Sequence, residues 1–588
     1  MKYISALAFV LTIISCNSSQ TPSEKPISTN EVFDLYKAEF VEALWEVYPE
    51  WSTGVGYERF DHLISIPDEA FRLKEIDFAN KNLNHLIAFN IDSLSPSNQT
   101  DYFMMENLLE KVRWQNQIFR SVEWNPASYN VAGGFATILG NKKISLEEKI
   151  NRASERIKLV PDYYKAAANN LVQPTMEHTD LAIQQSTGTK NYLDGTLRDS
   201  AKTALAGQEN LALFEADLNK AVNAVDGYIA FLKDSIKPAL EKNGARPFRI
   251  GKELFEQKFN YDIQSSFTAE EIYNQALASK DSLHGKMAKI AEDLWPKYYP
   301  NKKKPEDKLT LTKMVIDKIA DNHVHRDSFI TAIEKQIPEL EEFIREKNII
   351  YLDPSKPLVV RKTPDYMAGV AGASISAPGP YDKDGDTFYN VTPLTKYSEK
   401  EAKSYLREYN HYVLQVLNIH EAIPGHYLQL VYANQSPSII KSILGNGAMI
   451  EGWAVYTERM MLEEGYGNHE PELWLMYYKW HLRVVCNTIL DYSIHVLGMD
   501  ESQGLSLLMN DAFQEETEAR GKWKRATLSQ VQLCSYFTGY TEIYTLRKEL
   551  KKSQGQGFNL KSFHEQFLSY GSAPVKYIKK LMLTETPL

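Results

Sequence analysis

The sequence predicts a mainly α-helical protein with one small β-sheet, and two observations lead to this prediction. Apolar residues recur at helical spacing through long stretches, for example residues 103–119 and 199–232, and Pro or Asn residues separate these stretches. Residues 349–361 and 387–392 are the best strand candidates, because they combine β-branched and aromatic side chains with flanking turn residues. The helices therefore have to supply most of the core.

The first 16 residues have the pattern of a secretory signal. Lys2 provides the positive start, and the apolar run over residues 4–14 is too short to span a bilayer. The sequence Ile-Ile-Ser-Cys at residues 13–16 then resembles a lipobox, in which the cysteine of a bacterial lipoprotein is lipidated. We therefore expect an exported lipoprotein that Cys16 anchors to a membrane, on the periplasmic side or at the cell surface. An ordinary cleaved signal with an incidental cysteine is the alternative.

Residues 17–30 are rich in Ser, Thr, Pro and Asn, which predicts a flexible tether. No later stretch is apolar enough to cross a membrane. The formal net charge of −10 argues against a nucleic-acid partner. The two remaining cysteines, Cys486 and Cys534, lie in apolar surroundings, which favours buried free thiols and leaves a disulfide as the alternative.

Two halves are predicted for the folded part. Residues 31–267 carry helical patterns without a catalytic constellation, so we interpret them as one wall of a cleft. A new helix is expected after Thr268, because its hydroxyl can accept from the backbone N–H of Glu271 while the Glu271 carboxylate reaches back. Residues 268–588 form the second half, and both halves are expected to belong to one continuous fold.

The small sheet is expected in the second half. Between its two predicted strands, residues 374–386 are rich in Gly, Pro and Asp. Such a sheet can be a structural hairpin, or it can lend an edge strand to an extended peptide. The sequence does not separate these alternatives.

Residues 418–429, Asn-Ile-His-Glu-Ala-Ile-Pro-Gly-His-Tyr-Leu-Gln, combine two imidazoles with a carboxylate. His420 and His426 are suitable zinc ligands, and a glutamate directly after the first histidine, here Glu421, is the general base of the His-Glu-x-x-His zinc hydrolases. The spacing differs, however, because histidines six residues apart lie about 120° apart around a regular helix. Two histidines hydrogen-bonded around a helix break are the alternative to a metal site.

The residues between the two histidines can remove this misfit. Pro424 has no N–H for the carbonyl of His420, and its ring clashes with that carbonyl, so the helix is expected to bulge or break. Gly425 then allows a backbone geometry that other residues resist. The break can turn His426 back toward an ion bound by His420.

A second helical pattern follows at residues 447–458, after a Gly-containing turn. Glu451 and Glu458 lie seven residues apart, hence on one face of the helix and about 10 Å apart along its axis. One zinc ion does not easily bind both, so we assign Glu451 as the third ligand and Glu458 as a partner behind the ligands. A solvated acid near Arg459 is the alternative for Glu458.

These runs resemble a known family, the bacterial domain-of-unknown-function family 885. The resemblance rests on His-Glu-Ala-Ile-Pro-Gly-His-Tyr-Leu-Gln and on the Glu-Gly-Trp-Ala-Val-Tyr that follows it, and it covers roughly residues 34–585. Shorter matches lie at residues 377–382, 388–389, 483, 491–495, 536–539, 563–564 and 571–572. The family is mostly helical and distantly similar to gluzincin metallopeptidases. The resemblance therefore implies a large helical zinc-metallopeptidase-like fold and hydrolase chemistry, without naming a substrate.

The chain departs from this family at residues 528–532. Relatives commonly carry a Pro-Gly-Gln-Ala-like run there, whereas this chain has Leu-Ser-Gln-Val-Gln. A backbone role at that turn therefore does not carry over, although Tyr536 and Gly539 still match. Just upstream, Glu515, Glu516 and Glu518 are expected on a solvated helix face.

Further roles are predicted for four downstream residues. Tyr536, which matches the family, is expected to donate a hydrogen bond to an oxyanion, with aromatic packing as the alternative. His495 is the other candidate for this role, oriented by Asp491 four residues earlier, although the two can equally form a structural ion pair. Arg483 is a candidate for binding a substrate carboxylate, and a structural link between helices is the alternative.

Together these patterns predict one zinc ion per chain, held by His420, His426 and Glu451 with a fourth position for water. Glu421 would take a proton from the attacking water and pass it to the leaving amine. The expected protein is a membrane-anchored zinc-dependent hydrolase that cleaves peptides in a central cleft between the helical halves. A binding or sensing lipoprotein that keeps the metal without turnover is the alternative, and the presence of Glu421 disfavours it. The sequence does not predict the oligomeric state.

Overall fold

The computed structural model describes residues 28–363, 372–382 and 385–584. These residues form 26 α-helices and three short strands, so the predicted mainly α-helical class with a small sheet is confirmed. Cys16 and most of the predicted tether lie outside the described residues. Among the described helices, none is both long and apolar enough to cross a bilayer.

Twelve of the described helices precede residue 268. The first begins at a capping box, in which the Ser28 hydroxyl accepts from the Glu31 backbone N–H and the Glu31 carboxylate bonds back. The helices are α1 (Thr29–Val47), α2 (Pro49–Gly54), α3 (Glu69–Ile87), α4 (Pro96–Trp114), α5 (Ala132–Gly140), α6 (Leu146–Ile157), α7 (Val160–Asn170), α8 (Met176–Tyr192), α9 (Arg198–Ala204), α10 (Asn210–Ala230), α11 (Lys237–Asn243) and α12 (Gly251–Asp262).

The second half begins with the capping box predicted for Thr268 and Glu271, which is present. The elements are α13 (Ala269–Tyr298), α14 (Lys308–Ile319), α15 (Phe329–Lys347), β1 (Leu358–Lys362), β2 (Ala373–Ser376), β3 (Thr387–Val391), α16 (Glu399–Glu408), α17 (His411–Glu421), α18 (His426–Ala433), α19 (Ile439–Ile443), α20 (Gly447–Glu463), α21 (Pro471–His495), α22 (Glu501–Ser506), α23 (Glu516–Leu528), α24 (Cys534–Gln554), α25 (Leu560–Ser569) and α26 (Val575–Thr584).

Two apolar cores stabilise the described chain. The larger extends from Phe33 on α1 to Met582 on α26 and therefore includes side chains from both sides of residue 268. The smaller is built mainly by α5 to α10, around fully buried residues such as Phe135 and Leu218. α21 is buried along nearly its whole length and forms the central helix of the larger core. Cys486 and Cys534 belong to this core as free thiols, as predicted.

The three strands form one sheet in the order β1-β3-β2, in which β3 pairs in parallel with β1 and antiparallel with β2. The fully buried Tyr389 of β3 donates its hydroxyl proton to the side-chain oxygen of Asn418 on α17, with 2.9 Å between the oxygens. The sheet therefore packs beside the histidine-bearing helix. β1 begins later than predicted, because Ile349 and Ile350 are buried directly after α15 and outside the sheet. β2 lies in residues predicted as a connection.

Candidate metal centre

The helix break between the two histidines has the predicted position. Asn410 caps the N-terminus of α17, because its side-chain oxygen accepts from the backbone N–H groups of Tyr412 and Val413, and the helix ends at Glu421. The next four residues, which include a cis peptide bond before Pro424, are non-helical, and α18 begins at His426. The break follows from the missing N–H and the ring of the proline.

Gly425 makes the close return of the chain possible. A Cβ atom at this position would lie 1.8 Å from the carbonyl oxygen of His420 and 2.4 Å from that of Ile419. Only a residue without a side chain fits there. As a result, the His420 and His426 rings come together with centroids 4.8 Å apart and planes at 90°.

Glu451 on α20 completes the cluster. Its Oε2 atom lies 3.3 Å from His426 Nε2 and 3.8 Å from His420 Nε2. The potential ligand atoms of these three residues lie within 4.8 Å of one another. The indole of Trp453 on the same helix donates to the Pro424 carbonyl oxygen at 2.9 Å and so fixes α20 against the break.

Glu458 lies behind His420, on the side away from the cluster. Its Oε1 atom is 2.7 Å from His420 Nδ1 and also accepts from the Trp480 indole at 2.9 Å. A hydrogen bond from Nδ1 to this carboxylate leaves Nε2 as the unprotonated nitrogen that faces the cluster. Glu458 is 0% exposed, so the alternative of a solvated acid is wrong.

Burial and mutual charge shift the pKa values of the cluster residues. Burial alone would lower the pKa of His426, but its hydrogen bond with Glu451 and the charge of that carboxylate outweigh this effect and raise it. Burial, followed by repulsion from His426, lowers the pKa of His420 to about 4. Burial alone would raise the pKa of Glu451, but its hydrogen bond with His426 and the charge of that ring outweigh this effect and lower it. Two imidazole nitrogens and one carboxylate oxygen thus converge, a donor set that matches three-ligand zinc sites.

Glu421 is the last residue of α17 and follows His420 directly. In the described part of the chain, its carboxylate forms neither a hydrogen bond nor an ion pair, although the side chain is only partly exposed. Burial raises the pKa of Glu421, and the nearby charges of His426 and His420 oppose this shift. A carboxylate beside the cluster that has no partner among the described residues is available to a water molecule or a substrate.

Tyr536 lies on α24 close to the point where this helix crosses α20, the helix that carries Glu451. A Cβ atom on Gly539 would lie 1.7 Å from the Ala448 carbonyl oxygen, and one on Gly452 would lie 2.4 Å from the Gly539 Cα. Two glycines at the crossing therefore bring the backbones together. Tyr536 precedes Gly539 by about one helical turn, and burial followed by the charge of Glu451 raises its pKa to about 12.

Arg525 on α23 is a further residue near the site that the sequence patterns did not indicate. Its Nη2 atom donates to the Tyr536 hydroxyl oxygen at 3.2 Å and to the Gln532 side chain at 2.8 Å. Its positive charge also acts on Glu451. No sequence signal singled it out, because it stands among exposed and buried basic residues of one helix. Trp480 was not predicted either, because only the folded chain brings its indole to Glu458.

His495 and Asp491 lie apart from the cluster. The Nε2 atom of His495 faces the carbonyl oxygens of Ala526 and Ser529, at 3.1 Å and 3.0 Å. Asp491 accepts from the backbone N–H of Leu533 at 3.1 Å, and 3.7 Å separates its Oδ1 from His495 Nε2. Both side chains therefore hold the turn between α23 and α24. The expected place of His495 beside an oxyanion does not agree with these contacts.

Arg483 is engaged by other helices rather than free for a substrate. Its Nη2 atom lies 2.5 Å from Oε1 of Glu518 on α23, and its guanidinium stacks over the ring of Trp480 with 4.8 Å to the centroid. These contacts match the alternative of a link between helices. They also correct the prediction for Glu518, which pairs with Arg483 instead of lying on a solvated face.

The fold and the site thus define a mainly helical protein with a candidate metal centre of two histidines and one glutamate. The chain belongs to the family described as bacterial protein of unknown function (DUF885), whose model matches residues 49–582.

The solved structures that are similar to the chain include two candidate lipoproteins. One is a candidate lipoprotein of unknown function from Shewanella oneidensis, with 52% sequence identity over 94% of this chain and 99% of that chain and a TM-score of 0.84. The other, a candidate lipoprotein from Colwellia psychrerythraea, shares the fold at 16% identity, with 94% and 98% coverage and a TM-score of 0.74. No curated protein sequence matches the chain.

Proposed function

We propose that the protein is a zinc-dependent hydrolase that cleaves peptides, with Glu421 as the general base. One observation carries this proposal. The carboxylate of Glu421 directly follows a candidate ligand, His420, and has no partner among the described residues. A site that only stores a metal has no need of an unpaired carboxylate, which is costly to bury in part.

His420, His426 and Glu451 would hold the zinc ion. When bound, zinc supplies a positive charge that polarises a carbonyl group and lowers the pKa of water. Glu421 would accept a proton from the attacking water and donate it to the departing amine nitrogen. Its pKa, raised by burial, makes this carboxylate a better proton acceptor than an exposed one. The Tyr536 hydroxyl would donate to the oxygen on which negative charge develops.

The proposal includes a lipid anchor at Cys16. The lipobox-like residues 13–16 support it, and so does the similarity over nearly the full chain to the candidate lipoprotein from Shewanella oneidensis. The anchor would hold the folded part on the outer side of a bacterial membrane.

Hydrolysis of defined peptides tests the proposal. Full-length protein is loaded with zinc and incubated with a peptide mixture, and the products are identified by mass spectrometry. We expect cleavage that a chelator abolishes and added zinc restores, and no cleavage by His426→Ala. Tight zinc binding without cleavage of any peptide would instead favour a metal-retaining binding lipoprotein.

A further inference from the structure

A buried lysine on α23 has no partner among the described residues. Lys522 is only 5% exposed, yet its ammonium group forms neither a hydrogen bond nor an ion pair with any residue that the structure describes. Its Nζ atom is not fully enclosed, so a molecule from outside can reach it. A buried amine without a partner is costly, which makes Lys522 a candidate for binding an external anion.

Lys522 shares a helix face with a residue that contacts Tyr536. Arg525 follows Lys522 by three residues and therefore lies on the same face of α23. Its Nη2 atom donates to the Tyr536 hydroxyl oxygen at 3.2 Å, and Tyr536 lies on α24 close to the crossing with α20, the helix of Glu451. The hydrogen-bond partners of Arg525, Gln532 and Tyr536, are neutral, so its positive charge is not offset by them. Lys522 and Arg525 thus form a cationic pair on the face of α23 that contacts Tyr536.

A chain of contacts also connects α23 with the back of His420. Glu518, one turn before Lys522, bonds to Arg483 at 2.5 Å, and the Arg483 guanidinium stacks on Trp480. The Trp480 indole donates to Glu458, which bonds to His420 on the side away from the cluster. α23 is therefore held against the metal centre, with Tyr536 on one side and the back of His420 on the other.

The acids nearest to Lys522 are already paired. Glu518, one turn earlier on α23, bonds to Arg483 at 2.5 Å, and Glu408 bonds to Lys479 at 2.7 Å. Burial, followed by repulsion from Arg483, lowers the pKa of Lys522 well below its ordinary value. A bound carboxylate would form an ion pair with Lys522, which none of the described residues does. Its negative charge would offset the effects of burial and of repulsion from Arg483 on the pKa of Lys522.

We propose that Lys522, together with Arg525, binds the free carboxylate at the C-terminus of a peptide, so that the protein cleaves near peptide C-termini. This inference rests on the proposed peptide hydrolysis and narrows its substrate class. Every unmodified peptide ends in such a carboxylate, and an anchor beside Tyr536 would fix the distance from the chain end to the bond that is cleaved. Arginine and lysine both form strong charge-assisted hydrogen bonds with carboxylates.

Binding to a variant that cannot turn over tests the anchor independently of hydrolysis. Zinc-loaded, full-length Glu421→Gln protein is titrated with N-acetylated alanyl peptides that end in a free acid or in an amide. We expect the acid to bind about 10–100-fold more tightly, the range of a hydrogen bond to a charged group. A third peptide, which ends in a glutamate amide, offers a side-chain carboxylate and should bind no better than the alanyl amide.

Lys522→Met, introduced into the same protein, should abolish the preference for the free acid while leaving zinc content and unfolding temperature intact. Methionine is an unbranched side chain one atom shorter than lysine, and it removes the unpaired amine. Lys524→Met is the matched control, because Lys524 is exposed on the same helix, and this variant should keep the preference.

Equal binding of acid and amide overturns the inference, and so does a preference that survives in folded Lys522→Met or tight binding of the glutamate amide. None of these results bears on whether the parent protein hydrolyses peptides. Conversely, a preference for the acid in a parent protein that cleaves nothing would leave the anchor in place and refute the hydrolase.

Discussion

The Nδ1 atom of His420 lies 2.7 Å from Oε1 of Glu458, a fully buried carboxylate. This hydrogen bond orients the imidazole so that Nε2 faces His426 and Glu451. A carboxylate behind a histidine ligand usually affects metal affinity without binding the metal itself. The two glutamates of α20 should therefore respond differently to substitution.

We expect Glu458→Gln to weaken zinc binding by about 10–100-fold while one zinc per chain still binds at saturation. Glu451→Ala, like His420→Ala and His426→Ala, should bind substoichiometric zinc, because it removes a ligand. Titration against a competing chelator measures both quantities. If Glu451→Ala binds one zinc per chain with unchanged affinity while Glu458→Gln loses its zinc, the assignment of these two residues is reversed.

Gly425→Ala should destabilise the protein and weaken zinc binding. The added Cβ would lie 1.8 Å from the His420 carbonyl oxygen, so the return of the chain has to open. We expect a loss of about 1–3 kcal/mol in the free energy of unfolding, as for other overpacked sites. Gly447→Ala is the control, since a Cβ there meets no atom within 4 Å. Comparable denaturation midpoints for the two variants would refute the close approach.

The buried His564 should make stability depend on pH. Burial lowers its pKa to about 3, whereas an unfolded histidine titrates near the ordinary value of 6.5. Between these values the unfolded chain binds more protons, so the free energy of unfolding rises with pH and the contribution levels off above 6.5. The free energy of unfolding of His564→Gln should therefore rise less steeply with pH than that of the parent, by up to about 1.4 kcal/mol per pH unit. Denaturation of the metal-free parent and variant between pH 4 and 6 measures how the free energy of unfolding depends on pH. Identical slopes for the two proteins would contradict the lowered pKa of His564.

Cys16→Ala should release the protein from membranes without unfolding it, because the substitution removes the proposed lipid attachment site. Fractionation of cells into membrane and soluble material, followed by detection of the protein, measures the effect. If the parent is itself found only in the soluble fraction, the lipoprotein assignment is wrong.

Local rules predicted the centre of the site well. Pro424 cannot continue a helix and Gly425 tolerates close backbone contact, so the break and its consequence for His426 followed from the sequence. The seven-residue spacing of Glu451 and Glu458 put both on one face, and the rise of the helix separated them. These inferences needed no knowledge of distant parts of the chain.

Features that depend on long-range packing were not predictable in this way. The spacing of Asp491 and His495 indicated a shared helix face but not the neighbour on that face, which is the turn before α24. Glu518 has the pattern of a solvated residue, and only the packing of α21 brings Arg483 to it. β2 contains few strand-forming residues and exists because it pairs with β3.

The general-base assignment is the central claim, and Glu421→Gln tests it most directly. Glutamine keeps the shape of the side chain and removes the proton acceptor. Since His420, His426 and Glu451 are unchanged, we expect one zinc per chain and peptide binding close to that of the parent.

The deciding measurement pairs zinc content with the hydrolysis rate of a peptide that the parent cleaves. We expect the fully metallated variant to be slower by at least about a hundredfold, the usual contribution of a general base. An unchanged rate in a fully metallated Glu421→Gln protein would contradict the account.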